Sequence, residues 1–230
     1  MKSDGYMVSV RLMTYNHGRF IKKAMEGIMM QKTSFPVEVV VGDDFSTDDT
    51  LDVIKSFKDS KNIRIRILER PIGGDYWKKR KELGRLYNFQ NILENCTGKY
   101  IALLDGDDYW TDPLKLQKQV DLLESNQNLA ISCHNVKIIS DDVDVKDVVF
   151  FGERREHPRE LTNFQVLLKG NYIPTLGVVF RNNNFPLPVE FTDFHVGDWP
   201  LHLLNARFGE IHYSRESMGT YRIHGQGIHR

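Results

Sequence analysis

The sequence predicts an α/β fold: a single, mainly parallel sheet flanked by helices, continued by a mixed α+β half. Short apolar runs of strand length alternate with helically spaced segments up to about residue 135. A length of 230 residues with 40% hydrophobic content suits one sizeable core. Beyond about residue 140 the alternation stops, yet no linker rich in Pro, Gly or Ser intervenes. Residues 1–230 are therefore read as one domain, with halves 1–135 and 136–230.

The elements follow in order. Residues 7–13 read as the first strand, and residues 19–31 as a helix with Phe20, Ile21, Ala24, Met25, Ile28 and Met29 on one face. "VEVVVGDD" is a second strand running into acids. Ser46 is read as the cap of a helix over 46–57, with Asp49 in the capping-box position, and Asp48 and Asp49 favour its positive end. "IRIRILE" alternates as a third strand. "WKKRKELGR" opens one helix that carries Leu83, Leu86, Ile92 and Leu93. "YIALLD" is the fourth strand, Asp112 and Pro113 start another helix, and "LAISCHN" is the fifth strand. In the second half, residues 145–151, 176–181 and 216–224 read as strands, and 163–170 and 199–209 as short helices.

Composition narrows the function. Lys plus Arg equals Asp plus Glu at 31 each, which gives no reason to expect nucleic acid. The two cysteines, Cys96 and Cys133, form no CxxC, so a reduced, cytosolic setting is expected. "MKSDGYMVSV" lacks the apolar core of a signal peptide, and no run is long enough to span a bilayer. The expectation is a cytoplasmic protein, with peripheral contact at the inner face of the cell membrane left open. No GxGxxG, P-loop, HExxH or GxSxG occurs.

The chemistry-bearing residues gather at strand ends. In open α/β sheets ligands bind outside the carboxyl ends of the strands. Thr14, Tyr15 and Asn16 end the first strand, "GDDFSTDD" the second, and "DGDD" the fourth. Three such ends should open on one crevice. Hard divalent cations take oxygen ligands, and Mg²⁺ typically takes one or two carboxylates plus substrate phosphates. Gly106, between Asp105 and Asp107, lets the chain turn and a ligand approach. A lone DxD is weak evidence, since short acidic loops are usually solvated turns or caps. For Asp48, Asp49 and Asp112 the capping reading is preferred. An EF-hand is excluded by the glycine position and the missing terminal glutamate.

Taken together, "VSVRLMTYNHGRFIKKAMEGIMMQ", "VEVVVGDDFSTDDT", "GKYIALLDGDDYWTDPLKLQKQVDLLE", "GDWPLHLL" and "YRIHGQG" occur in that order. The chain resembles the inverting glycosyltransferases of family 2, with the GT-A fold, and is most similar to bacterial members that build surface polysaccharides. The resemblance covers nearly the whole chain. It implies that Tyr15 packs on the nucleobase, that Asp44 hydrogen-bonds the base edge, and that Thr14 and Asn16 shape that pocket. It implies Asp105 near the ribose and sugar, Asp107 on the metal that bridges the diphosphate, and Asp198 as catalytic base. His224 matches a histidine near diphosphate and metal in some members. The implied cofactor is Mg²⁺ or Mn²⁺. The implied partners are a nucleotide-sugar donor, UDP-sugar by default, and a saccharide or lipid-linked acceptor. The halves become a nucleotide-sugar side and an acceptor side.

This sequence departs from the common pattern in three places. Phe45 follows the paired acids, which narrows the base pocket. Gly197 stands before Asp198, where many members have glutamate. The chain stops at Arg230, soon after His224, where relatives often continue.

Plainer readings stand beside these. Tyr15 also reads as a strand-end aromatic, Asp198 as a helix cap, His224 as a surface histidine, and His134 as part of the fifth strand. "WKKRKELGR" is read as a solvated helix face; its sharper reading is a basic rim for a diphosphate or an anionic lipid surface. Asn88 matches an asparagine common in relatives, and residues 171–181 the acceptor wall. The competing functions are a sugar nucleotidyltransferase, disfavoured because "LMTYNHGRF" has a single glycine, and a non-catalytic nucleotide- or carbohydrate-binding module.

Overall fold

The computed structural model describes residues 5–140, 149–150, 159–184 and 186–225. Strands β1 (Val8–Thr14), β2 (Val37–Asp43), β3 (Ile63–Ile67) and β4 (Tyr100–Asp105) run parallel in the order β3-β2-β1-β4. Parallel neighbours need crossovers. Here these are α1 (Ile21–Met29), α2 (Thr50–Ser56), and the pair α3 (Asp75–Leu83) and α4 (Leu86–Glu94).

Side chains alternate across the sheet and bury both faces. Val8, Val10, Leu12, Val39 and Leu104 meet Ile21, Met25 and Ile28 of α1, Ile54 of α2, and Leu116 and Val120 of α5 (Lys115–Ser125). On the other face Val40, Ile101 and Leu103 meet Leu86, Phe89 and Ile92 of α4 and Leu201 of α7 (Asp198–Ala206). Burial on both faces explains why these strands read as near-continuous apolar runs.

The second half extends the same sheet. β9 (Val179–Arg181) lies between β4 and β6 (Leu129–Ser140), antiparallel to both. β10 (Glu210–Ile223) pairs parallel with β6. Two-residue strands β5 (Tyr109–Trp110) and β8 (Leu161–Thr162) pair antiparallel with β10, and β7 (Val149–Phe150) with β6. α6 (Phe164–Leu168) packs near α7.

Four expectations change. The helix expected through "WKKRKELGR" is two helices, because Gly84 adopts φ 76° and ends α3. Ser46 does not cap a helix: α2 starts four residues later, and the Ser46 hydroxyl serves the loop described below. Asp112 does accept the Leu114 N–H, at 2.7 Å, but regular helix begins at Lys115 rather than at Pro113. β10 starts well before residue 216. Its bulges between Ser214 and Ser217 and between Ser217 and Thr220 break the two-residue period that the sequence reading relied on. Of the strand expected over 145–151, Val149–Phe150 is β7, and the rest lies outside the described residues.

The core also holds polar groups. His134 lies fully buried on β6, as its strand reading implied, and burial pulls its pKa down to about 3. His202 of α7 is fully buried, and neither ring nitrogen has a hydrogen-bond partner among the described residues. Burial lowers its pKa to about 4, with Asp198 opposing and Arg11 reinforcing the shift. Such a histidine contributes stability that is whole above the unfolded pKa of about 6.5 and is lost as pH falls through that value toward the folded one. His202→Leu strands no partner. It is expected to gain on the wild type as pH drops through this window, by at most ~1.4 kcal/mol per pH unit. Urea denaturation of both proteins at about pH 7.5 and about pH 5 measures the difference. A stability difference that does not change with pH would refute the assignment.

Candidate active site

The ends of β1, β2 and β4 form one crevice, as expected from the parallel order. The Asp44 N–H donates to the Thr14 carbonyl and the Gly106 N–H to the Met13 carbonyl, both at 2.9 Å. Asn16 sits at φ 51°, a left-handed conformation that asparagine tolerates. Its N–H donates to the Ser46 hydroxyl, and its side-chain carbonyl accepts the Thr47 N–H, each at 2.8 Å. Ser46 donates in turn to the buried Asp43 carboxylate. Asn16 therefore shapes the pocket by holding two loops together. Thr14 is buried, and its hydroxyl has no partner among the described residues. Tyr15 is 55% exposed beside it, a free aromatic face at the mouth.

Asp44 is not a bare acid. The Arg80 guanidinium donates to both carboxylate oxygens at 2.7–2.9 Å, and the Tyr76 hydroxyl donates at 3.2 Å. Behind it is an aromatic wall. Tyr76 stacks near Tyr87 at 5.5 Å and lies 5.8 Å from Phe45. The Arg70 guanidinium lies 3.8 Å from the Tyr76 ring centre. Asn88 accepts from Arg70 and donates to the Gly42 carbonyl, so it braces this wall. Phe45 has φ 65°, strain of about 1–3 kcal/mol of the kind that clusters at ligand sites.

The three acids of "DGDD" have three environments. Asp105 accepts from the fully buried Arg11 at 2.8 Å, and Arg11 lies 4.2 Å from the Phe89 ring centre. Burial nevertheless holds the Asp105 carboxyl above its usual range. Asp107 lies 3.0 Å from His224 Nε2 and 4.0 Å from His17 Nε2. Burial would raise its pKa, but the His224 hydrogen bond and the His17 ring outweigh it and hold the carboxyl low. Asp108 is buried, accepts the Arg222 N–H at 2.8 Å, and is pushed well up by burial and by the Asp107 charge. The three carboxyls thus shift in different directions, Asp107 down and Asp105 and Asp108 up. Gly106 is required: a Cβ there would come within 2.7 Å of His17 Nδ1 and 2.9 Å of Thr14 Oγ1.

Asp198 opens α7. Its carboxylate accepts the Trp199 N–H at 2.8 Å, and accepts from Asn171 and Thr175 at 3.2 Å each. The segment 171–181 therefore borders it, and the same carboxylate bonds within the first turn of α7. Burial raises the Tyr221 pKa, and the charges of Asp108, Asp107, Asp105 and Asp198 add to that effect. His224 is buried, 4.6 Å from the Phe20 ring centre, and is not a surface histidine.

Thr14, Tyr15, Asn16, Asp44, Asp105 and Asp107 lie at the adjoining ends of β1, β2 and β4, His224 reaches Asp107, and Asp198 stands on α7. Sequence reading missed Arg11, His17, Arg80, Asp108 and Tyr221. Arg11 had a signal: a lone cation in the middle of the apolar "VSVRLMT". The others lie inside stretches already singled out, His17 in "TYNHG", Arg80 in "WKKRKELGR", Asp108 in "DGDD" and Tyr221 in "YRIH", but the chain alone does not show their partners. Among the described residues no group of three or more His, Cys, Asp or Glu side chains could hold a metal ion. Asp107 offers a carboxylate beside the His224 imidazole at 3.0 Å, with the His17 imidazole at 4.0 Å. A separate hollow at the opposite ends of the strands contains Glu38, which accepts from Ser9 and Thr97 and pairs with Arg66. Glu38 there is fully engaged in holding the fold.

Residues 9–182 match the family described as Glycosyl transferase family 2. The uncharacterized protein Rv1520 of Mycobacterium tuberculosis is 36% identical over 223 residues, 96% of this chain and 60% of that protein. A UDP-Glc:α-D-GlcNAc-diphosphoundecaprenol β-1,3-glucosyltransferase of Escherichia coli, WfgD, is 30% identical over 200 residues, covering 87% of this chain and 70% of its own. A Pyrobaculum calidifontis mannosyltransferase, solved with GDP-Man and Mn²⁺, superposes with a TM-score of 0.62 at 16% identity, over 97% of this chain and 59% of that one. That likeness is to the GT-A fold. The chain thus spans about three-fifths of the length of its mycobacterial relative.

Proposed function

The chain belongs to glycosyltransferase family 2, and on that premise we propose that it carries out metal-dependent, inverting transfer of a sugar from a nucleoside-diphosphate donor to a saccharide or lipid-linked acceptor. The observation that supports this reading is the adjacency of the β1, β2 and β4 ends, which bear Thr14, Asp44 and the Asp105–Asp107 pair. The continuous sheet supports reading residues 1–135 as the donor side and 136–230 as the acceptor side of one domain. The reaction is assigned to polysaccharide building in the cytoplasm, at the inner face of the cell membrane. Among the described residues no helix is long and apolar enough to cross a membrane.

Asp44 and Arg80 define the base. A carboxylate only accepts hydrogen bonds and a guanidinium only donates them. Side by side they match an imide edge, with its N–H beside a carbonyl. Uracil, thymine and guanine have that edge; cytosine has the reverse. Tyr15 supplies a face for stacking, and Phe45 and Tyr76 the wall. Uridine is the assigned base, in keeping with the UDP-Glc donor in the name of the Escherichia coli relative.

Asp107 and His224 would hold Mg²⁺ or Mn²⁺, and His17 lies alongside. When bound, the ion supplies Lewis-acid neutralisation of the diphosphate. Arg11 fixes Asp105 against the sugar-ribose side. Asp198 takes the proton of the acceptor hydroxyl as that oxygen attacks the anomeric carbon. The carbon–oxygen bond to the diphosphate breaks on the opposite face, so one displacement inverts the centre. Asn171 and Thr175 aim the Asp198 carboxylate by donating to it.

Calorimetric titration with UDP, GDP and CDP, each with and without Mn²⁺, tests this reading. UDP is expected to bind tightly only with metal present, and CDP at least about tenfold more weakly, the cost of unpaired polar groups at the base edge. Binding of UDP that is indifferent to Mn²⁺ would sink the metal assignment. No binding of any nucleotide by the folded chain would favour the non-catalytic module.

A further inference from the structure

The segment between Pro71 and Arg85 has features that donor binding does not explain. α3 buries none of its nine residues. An isolated helix below roughly 12–15 residues is marginal in water, so something must hold it. Tyr76 and Arg80, four residues apart on one face, do so by bonding to Asp44. Lys78, Lys79, Lys81 and Glu82 of this helix are exposed, and Trp77 is half-exposed.

What faces outward is unusual. Ile72 is 80% exposed at the tip of the loop before α3, and nothing lies within 4 Å of a Cβ built on the adjacent Gly73. Lys78, Lys79, Lys81 and Arg85 are exposed, and the Lys81 ammonium sits 3.8 Å from the Trp77 ring centre. The segment carries five basic residues against two acids, in a chain whose charges otherwise balance at 31 each. Arg85 donates to the His195 carbonyl, which brings the half-exposed Phe194 beside the same rim, three residues before the Gly197–Asp198 pair. A merely solvated helix face has no use for a protruding isoleucine and a tryptophan among its lysines.

We propose that this rim, Ile72, Trp77, Lys78, Lys79 and Lys81, docks the protein on an anionic phospholipid surface. Lysines at a membrane surface attract anionic headgroups, tryptophan settles at the headgroup level, and an exposed isoleucine enters the acyl boundary. Docking there places the inner face of α3, and with it Asp44, next to the bilayer. An acceptor anchored in the membrane could then reach the Asp198 side without leaving it. The proposal concerns the surface alone and does not depend on the transfer chemistry.

Vesicle flotation without nucleotide tests it. The wild-type chain is expected to float with phosphatidylglycerol vesicles, to stay behind with phosphatidylcholine vesicles, and to release as salt is raised. Each cation near a charged surface is worth about fivefold in affinity, so the triple variant Lys78→Gln, Lys79→Gln, Lys81→Gln should bind about 100-fold more weakly. Ile72→Ser should lose about tenfold, with the charge unchanged. All these positions are exposed or half-exposed, and circular dichroism would show the variants folded. UDP titration of the same variants should match the wild type, which keeps a docking failure distinct from a failure of the donor site. A wild type that ignores phosphatidylglycerol, or variants that float like it, would overturn the proposal. Equal binding to phosphatidylcholine would overturn it as well.

Discussion

Asp198→Asn is expected to bind UDP and Mn²⁺ as the wild type does and to lose transfer by about 10²–10⁴-fold, the usual contribution of a positioned general base. The substitution is nearly isosteric. The asparagine oxygen can still accept the Trp199 N–H and so keep the start of α7 in place. Only the second atom changes. There an amide replaces an oxygen that accepts from Asn171 and Thr175, and the amide cannot take a proton from an acceptor hydroxyl. The loss should therefore fall on kcat, with nucleotide affinity and unfolding midpoint close to wild type. Steady-state kinetics beside calorimetry separate the two. Full turnover in this variant would leave Asp198 a helix cap and nothing more.

Asp107→Ala should act on the proposed donor side. The wild-type carboxyl is held ionised against burial by the His224 hydrogen bond and the His17 ring. Removing it takes away the one anionic oxygen donor of the proposed metal site. It also leaves the buried His224 without its 3.0 Å partner. Loss of even an indirect supporting group costs 10–100-fold in metal affinity, so loss of the donor itself should cost at least about 100-fold. UDP should then bind weakly and alike with and without Mn²⁺, through the base contacts of Asp44 and Arg80 that the substitution does not touch. Titrations of UDP at several Mn²⁺ concentrations would read this directly. A variant that titrates like the wild type would move the metal away from Asp107.

The two results would differ in kind, and that difference follows from where each acid sits. Asp107 belongs to a turn at the end of β4, tied to β10 through His224 and the neighbouring Asp108–Arg222 bond. Asp198 belongs to the first turn of α7, tied to the segment before β9. On the proposed reading the donor side rests on the parallel strands and the acceptor side on the later elements, so each can fail without the other.

What the sequence determined by itself is the local part. The strands β1, β2 and β4 were legible because both of their faces are buried and their runs are mainly apolar. The acids at their ends were legible because a parallel sheet points all its carboxyl ends one way. The roles expected of Asp44, Asp105, Asp107 and Asp198 came from motif order, not from spacing, and the structure sets the ends of β2 and β4, which bear the first three, on either side of β1. The break at Gly84 was missed because a single glycine inside a helical pattern is compatible with continuation or with an end. Only the φ of 76° decides between them.

The tertiary structure decided the pairings. Arg11 and Asp105 are 94 residues apart in the chain, and Asp107 and His224 are 117 apart. Local periodicity has no reach over such distances. It could not show that Arg80, in a stretch that reads as a solvated face, turns inward to Asp44 while Lys78, Lys79 and Lys81 turn outward. Nor could it show that the three carboxyls of "DGDD" shift in different directions. Charge state depends on burial and on which partner arrives from another strand, and those are set only when the sheet closes on β10.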